Sequence, residues 1–151
     1  MLTNKEMRRD YLSDNPEDEV EPYLSGETWE KVRGAWGYIH APFGSEVVHH
    51  IWRGGTGYKA DLWSLLITVS PASHDYVHKC PKHGVVACIY AKIKKGEFDS
   101  EEVKKALGRD LIAQTIIWRE QEEVTHPYYT DLINKIEELH GIVHDNDDAP
   151  S

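Results

Sequence analysis

Two pairs of histidines constrain the fold of this chain more than any other feature of its sequence. His49 and His50 are adjacent, His74 and His78 are four residues apart, and a glycine-rich segment, 53–59, lies between the pairs. Residues spaced i, i+4 share one face of a helix, so His74 and His78 can offer two nitrogen ligands to one cation. A histidine pair on a preceding strand can supply a third ligand and, separately, a base. The pattern indicates a hydrolase with one metal ion.

The residues around the histidines predict a strand, a second strand and a helix. Residues 46–52 are rich in β-branched and aromatic side chains and predict a strand, and the apolar run 62–69 is compatible with another. Glycines between these runs indicate a turn or loop. Ser70 followed by Pro71 is typical of a helix start, and Cys80-Pro81 marks the end of that helix.

The chain of 151 residues has the length of a single domain, without internal repeats or an evident linker. Its N-terminal segment, 1–27, contains an acidic run with few apolar residues and is predicted to be loosely ordered. A helical extension is predicted over 97–141, with a helix start at Asp99, a break at Gly108 and a last helix from Pro127 to Gly141. The tail, 144–151, is predicted to be disordered.

Charge is distributed unevenly along the sequence. The net charge of the chain is −9, yet residues 46–95 carry seven Lys/Arg against three Asp/Glu. This basic segment coincides with the histidines and indicates a phosphate-bearing partner, because local potential decides where phosphate docks. No apolar run is long enough to span a bilayer, and two cysteines do not indicate a disulfide scaffold. We therefore expect a cytoplasmic protein without a membrane partner.

The order of these motifs resembles the HNH, or ββα-metal, endonucleases, a family that includes the nuclease domains of colicins. The resemblance covers residues 46–79, and it is closer to phage-encoded HNH-type proteins, whose Gly-x-Gly-x-Lys-x-x-Asp loop is similar to residues 55–61. It implies an α+β fold in which a ββα-metal core is followed by additional C-terminal helices. It also implies that the protein is located in the cytoplasm of a bacterial cell or of a host cell infected by a phage.

The resemblance implies a metal-dependent endonuclease that hydrolyses DNA phosphodiester bonds. His50 would be the general base, and the cofactor would be one divalent ion, Zn, Mg, Mn or Ni. The implied metal ligands are His49, His74 and His78. The residues that would contact the DNA are Arg53, Lys59 and Lys79.

The sequence departs from the family at two points. The family's asparagine, which orients the base, corresponds to Leu65, so a backbone carbonyl, Asp61 or Ser64 would orient His50 instead. The cysteines that form a zinc knuckle in many relatives correspond to Ser70 and Ser73, so that second zinc site is absent.

Several alternatives remain open from the sequence. Without the asparagine, the protein can be a non-catalytic module that is stabilised by a metal and binds DNA or a protein partner. His74-x-x-x-His78 with the adjacent Asp75 is similar to a metalloprotease helix, although aspartate is one methylene shorter than the usual glutamate base. Cys80 and His83 have a spacing that can suit zinc. The charges in the 53–59 loop can clamp phosphate or simply be solvated.

Overall fold

The structure, a computed structural model, describes residues 4–14, 20–37, 47–52 and 62–147. These residues form seven α-helices, two β-strands and two short 3-10 helices. In chain order they are α1 (Asn4–Asp14), a 3-10 helix (Glu21–Tyr23), α2 (Glu27–Gly37), β1 (Val47–His50), a 3-10 helix (Trp63–Leu65), β2 (Leu66–Val69), α3 (Pro71–Lys79), α4 (Pro81–Lys95), α5 (Ser100–Leu107), α6 (Leu111–Glu120) and α7 (Pro127–Asp147). The fold is α+β and mostly helical, which confirms the predicted class.

The two strands form a small antiparallel sheet. His49 is paired with Ile67, and His50 is paired with Leu66. All four residues of β2 are buried, so both faces of this strand are covered by other elements. Helices α1 and α3 each contact both strands. The apolar run 62–69 therefore begins as a turn of 3-10 helix and becomes a strand only where it pairs with β1.

Helix α3 starts where the sequence predicts, and helix α4 follows it directly. The Ser70 hydroxyl accepts a hydrogen bond from the backbone N–H of Ser73 at 3.2 Å, which caps α3. Pro81 begins α4 immediately after α3 ends, because proline is tolerated in a first helical turn but not inside a helix. Gly84 allows the two helices to approach closely, since a Cβ at this position would lie 2.7 Å from the Cβ of Val77.

Helix α4 runs through the hydrophobic core and packs against α3 and α7. Its residue Lys92 is fully buried, and its ammonium group donates hydrogen bonds to Glu97 at 2.9 Å and to the Tyr11 hydroxyl at 3.0 Å. These bonds compensate for removing the charge from water. They also tie α1 to the core.

Both ends of the chain are more ordered than the sequence predicts. The segment 1–27 contains helix α1, which is held by Tyr11; this side chain is buried, and its ring lies 4.7 Å from that of Trp63. Helix α7 continues through Gly141 to Asp147, so it overlaps the predicted disordered tail. A glycine inside a helix costs only about 1 kcal/mol relative to alanine, and a long helix tolerates that cost.

No helix in the described part of the chain has both the length and the hydrophobicity needed to cross a membrane.

Candidate metal centre

Three histidines converge at the junction between the sheet and helix α3. One candidate ligand nitrogen from each of His49, His74 and His78 lies within 4.8 Å of the other two. The Nε2 atoms of His74 and His78 are 2.9 Å apart and share a hydrogen bond. The ring of His49 stands edge-on to both, with centroid distances of 5.3 Å to His74 and 5.5 Å to His78. Among the described residues, no other group of three or more His, Cys, Asp or Glu side chains meets in this way.

Local structure places each of these imidazoles. His74 and His78 are one helical turn apart on α3, and the Ser70 cap fixes the residue at which that helix begins. His49 lies on β1 directly opposite Ile67, a buried core residue on β2. The sheet and α3 are in contact, so the imidazole of His49 meets the two imidazoles of the helix.

The donor set fits a divalent transition metal. Bonds of about 2.0–2.1 Å from zinc to tetrahedrally arranged nitrogens put two ligand nitrogens about 3.3 Å apart. The 2.9 Å separation of His74 and His78 is close to that value, so small rotations of the side chains suffice. His49 and His74 are half-buried and His78 is exposed, which leaves one side open to a further ligand. The three histidines could therefore hold one metal ion.

Asp75, beside the first helical histidine, is held by partners outside the cluster. Its carboxylate accepts hydrogen bonds from Lys79 at 2.8 Å and from the Trp36 indole N–H at 3.0 Å. These bonds lower the pKa of Asp75, so the carboxylate is a weak base. With both oxygens engaged, Asp75 is poorly placed to act as the base of a metalloprotease. Its contact with Trp36 instead braces α3 against α2.

His50 lies at the end of β1 and shares a pocket with two of the clustered histidines. Neighbouring residues of a strand normally point to opposite faces. Here the chain bends at Ile51, directly after the strand, and His49, His50 and His78 all line one open pocket of about 410 Å³. Trp52 and Trp118 also line this pocket, although the histidine motif in the sequence points to neither.

The other predicted site residues are divided between the described and undescribed parts of the chain. Arg53, Lys59 and Asp61 lie outside the described residues. Ser64 is buried, and its hydroxyl accepts a hydrogen bond from the backbone N–H of Asp99 at 3.0 Å. That contact supports the start of α5, and the predicted role of Ser64 in orienting His50 stays a prediction. Leu65, at the family's asparagine position, is fully buried in the core.

The basic segment 46–95 is partly compensated by carboxylates, two of which, Glu97 and Glu123, lie outside it. Lys79 pairs with Asp75 at 2.8 Å, and Lys82 on α4 pairs with Glu123 at 3.1 Å. Lys92 and Lys95 both contact Glu97. The positive charge at the predicted nucleic-acid surface is therefore smaller than the linear charge count indicates.

A tyrosine–histidine network lies outside the cluster and was not anticipated. The hydroxyls of Tyr76 and Tyr129 are 2.8 Å apart, and Tyr76 also contacts Nδ1 of His83 at 3.3 Å. The ring of His83 stacks on that of Tyr129, with centroids 4.2 Å apart. Burial, reinforced by the nearby His126, lowers the pKa of His83, and burial raises that of Tyr129. Cys80 and His83 do not belong to any three-residue ligand group among the described residues.

Comparisons of the chain with known protein families, with curated proteins and with solved structures found no match.

Proposed function

We propose that this protein is a metal-dependent endonuclease that hydrolyses DNA phosphodiester bonds. The observation that carries the proposal is the convergence of one imidazole from β1 and two from α3 within 4.8 Å. Residues that are 25 and 29 positions apart in sequence meet there, beside a pocket that also contains a fourth histidine, His50. Three imidazoles that meet at one point, with His50 in the adjoining pocket, have the chemical groups that a one-metal hydrolase needs.

The proposed architecture is a ββα-metal core formed by β1, β2 and α3. It is supported by the order of these elements and by the positions of the histidines, on the first strand and on the helix. The remaining helices pack around this core. Its relation to the HNH family is a proposal that rests on the motif in the sequence and on this arrangement.

In the proposed mechanism, His49, His74 and His78 would hold one divalent ion. Three imidazoles favour Zn²⁺ or Ni²⁺ over Mn²⁺ and Mg²⁺, which prefer oxygen ligands. When bound, the ion supplies Lewis acidity, which stabilises the charge that develops on the scissile phosphate.

His50 then takes a proton from the attacking water, a task that suits an imidazole at neutral pH. Its position in the same pocket as two of the ligands supports this role. Arg53, Lys59 and Lys79 are the proposed contacts to the DNA backbone. The pairing of Lys79 with Asp75 means that phosphate has to compete with a carboxylate for this lysine.

A second candidate is a non-catalytic module that binds metal for stability and recognises DNA or a protein. Two observations favour it. The residue at the family's asparagine position, Leu65, is buried in the core and has no polar group to orient His50. Two described lysines near the histidines, Lys79 and Lys82, are ion-paired, so this surface attracts phosphate less strongly than unpaired lysines would.

Metal binding and plasmid nicking separate these candidates. Zinc, nickel, manganese and magnesium are titrated into the metal-free protein while its thermal unfolding is followed. Metal at a free concentration of about 100 times its Kd stabilises the folded protein by about 2.7 kcal/mol. We expect His49→Ala, His74→Ala and His78→Ala to lose this stabilisation, and His140→Ala, a histidine on α7 outside the cluster, to retain it.

Nicking of supercoiled plasmid is then compared between the wild type and His50→Ala. The endonuclease proposal requires the wild type to nick with at least one metal, and requires His50→Ala to be at least 100-fold slower because it lacks the base. Equal activity of the two proteins would remove His50 from the mechanism. Metal stabilisation without any nicking would favour the non-catalytic module.

A further inference from the structure

Two kinds of side chain line the pocket beside the three histidines. His49, His50 and His78 contribute imidazoles, and Trp52 and Trp118 contribute indoles, whose rings are 6.1 Å apart and inclined by 25°. The rest of the lining is mainly apolar and includes Ile51, Val77 and Val85. A ligand with both a polar group and an apolar, planar group therefore matches the side chains of this pocket.

The charge of the pocket favours an occupant with a single phosphate. Lys82 is the one Lys or Arg among the described residues that line it, and this lysine is ion-paired with Glu123 at 3.1 Å. Away from the histidines, a second phosphate would therefore find little uncompensated positive charge among these side chains. An uncharged planar group would bury apolar surface there and make edge or face contacts with the indoles.

We propose that the tryptophans of this pocket contact an unpaired nucleobase whose own phosphate lies at the histidines. The inference rests on the proposed function and narrows its substrate to single-stranded or locally unpaired nucleic acid. A nucleotide joins a charged phosphate to an uncharged aromatic base a few ångströms away, which matches a pocket lined by both imidazoles and indoles. Bases inside a duplex are stacked on both faces and paired at their edges, so they enter a protein pocket only after leaving the helix.

The volume of the pocket is compatible with this occupant. At about 410 Å³ it is larger than a base and is open at one side, as a strand that continues past the site requires. Arg109 lies over the ring of Trp52, with its guanidinium carbon 5.5 Å from the ring centroid. This cation is positioned to hold the indole in place at the wall of the pocket.

Binding is tested with fluorescently labelled strands and the metal-free full-length protein, so that no strand is cut. The probes are a single-stranded oligonucleotide, an abasic strand of the same length and a duplex of the same sequence. The abasic strand keeps every phosphate and lacks every base. We expect the wild type to bind the oligonucleotide about tenfold more tightly than the abasic strand, as stacking of a base on aromatic side chains requires.

The pocket variant is Val85→Trp, which places an indole in the space proposed for the base. Val85 is only partly buried, so the larger side chain is compatible with folding. The matched control is Ile117→Trp on α6, an exposed position next to Trp118 that does not line the pocket. Val85→Trp should abolish the preference for bases, and Ile117→Trp should keep it. Trp52→Ala, checked for folding by circular dichroism, should also weaken the preference.

The proposal is overturned if the wild type binds the abasic strand and the oligonucleotide equally, or if Val85→Trp keeps the preference. It is also overturned if the duplex binds best and is insensitive to Val85→Trp. Displacement of a dye by a tryptophan-containing peptide, but not by the oligonucleotide, would assign the pocket to a protein partner instead.

The nicking assay distinguishes a failure of the base pocket from a failure of the proposed endonuclease function. Nicking that depends on His50, in a protein without base preference, would leave the endonuclease intact and reject only the base pocket. Absence of both metal-dependent nicking and oligonucleotide binding would reject the two proposals together.

Discussion

Replacing Gly84 by alanine should destabilise the protein, although alanine is the better helix former. An added Cβ would lie 2.7 Å from Val77 Cβ and 2.9 Å from Val77 Cα. Ordinary contacts between carbon atoms are about 3.5–4.0 Å, so α3 and α4 would have to separate by about 1 Å. Because one of the two clashing atoms belongs to the backbone, rotation of a side chain cannot relieve the overlap.

The magnitude follows from two opposing effects. Alanine gains about 1 kcal/mol of helix propensity over glycine. Overpacking costs about 1–3 kcal/mol and occasionally more, and a clash with backbone belongs at or above the top of that range. We expect a net loss of about 2 kcal/mol in the free energy of unfolding. For a chain of this size that loss lowers Tm by about 4–8 °C.

The assay is thermal and urea unfolding of Gly84→Ala beside the matched control Gly34→Ala. Gly34 is on α2, where an added Cβ meets no atom within 4 Å. The control should therefore be stabilised by about 1 kcal/mol. If Gly84→Ala unfolds at or above the wild-type temperature while the control behaves as expected, the close approach of α3 and α4 is wrong.

The same substitution should also weaken metal binding at the candidate metal centre. Val77 directly precedes His78, so a displaced α3 carries this imidazole away from His49 on the sheet. We expect the zinc affinity of Gly84→Ala to fall by about tenfold, as measured by competition with a chelating dye. An unchanged affinity in a destabilised variant would show that α3 and β1 move together.

Three further predictions follow from the contacts of the core. Glu97→Gln should lower the free energy of unfolding by about 2–3 kcal/mol, because it removes the carboxylate that neutralises the buried Lys92. Burial alone would raise the pKa of Glu97, but its lysine partners lower it overall. The carboxylate therefore contributes its full stabilisation above about pH 4.5, and this contribution is lost as pH falls through the lowered pKa. Glu97→Gln should lack this acid sensitivity in unfolding experiments. The pKa of His83 is lowered in the fold, so as pH falls this imidazole is protonated in the unfolded chain at a higher pH than in the folded protein. Wild-type stability should therefore decline as pH falls below about 6.5. His83→Gln should reduce the slope of Tm against pH. Ser70→Ala removes the cap that accepts the Ser73 N–H and should cost about 1 kcal/mol, measured by urea unfolding, whereas an unchanged midpoint would show that the cap is dispensable.

The sequence was sufficient to predict the local features of the fold. Helix α3 begins after Ser70 and ends before Pro81, and α5 begins after Asp99 and ends at Gly108, where the backbone is left-handed. Each of these boundaries depends on hydrogen bonds or steric limits within about four residues, so it can be read from neighbouring side chains. The spacing of the two histidines on α3 is local in the same sense.

The ends of the chain could not be predicted in this way. Helix α1 has little apolar character of its own, and its order depends on Tyr11 packing against Trp63 and accepting a hydrogen bond from Lys92. These partners are more than fifty residues away. A pattern that looks disordered by composition can therefore be helical when one aromatic side chain finds a distant place in the core.

For the candidate site, the sequence by itself determined which imidazoles are available and which two of them share a helix face. Only the tertiary structure decided that His49 reaches that face, that Lys79 and Lys82 are ion-paired, and that Trp52 and Trp118 complete a pocket beside the histidines. The reason is physical. Capping and helical periodicity act over a few residues, whereas the meeting of a strand with a helix depends on how the whole apolar surface is buried.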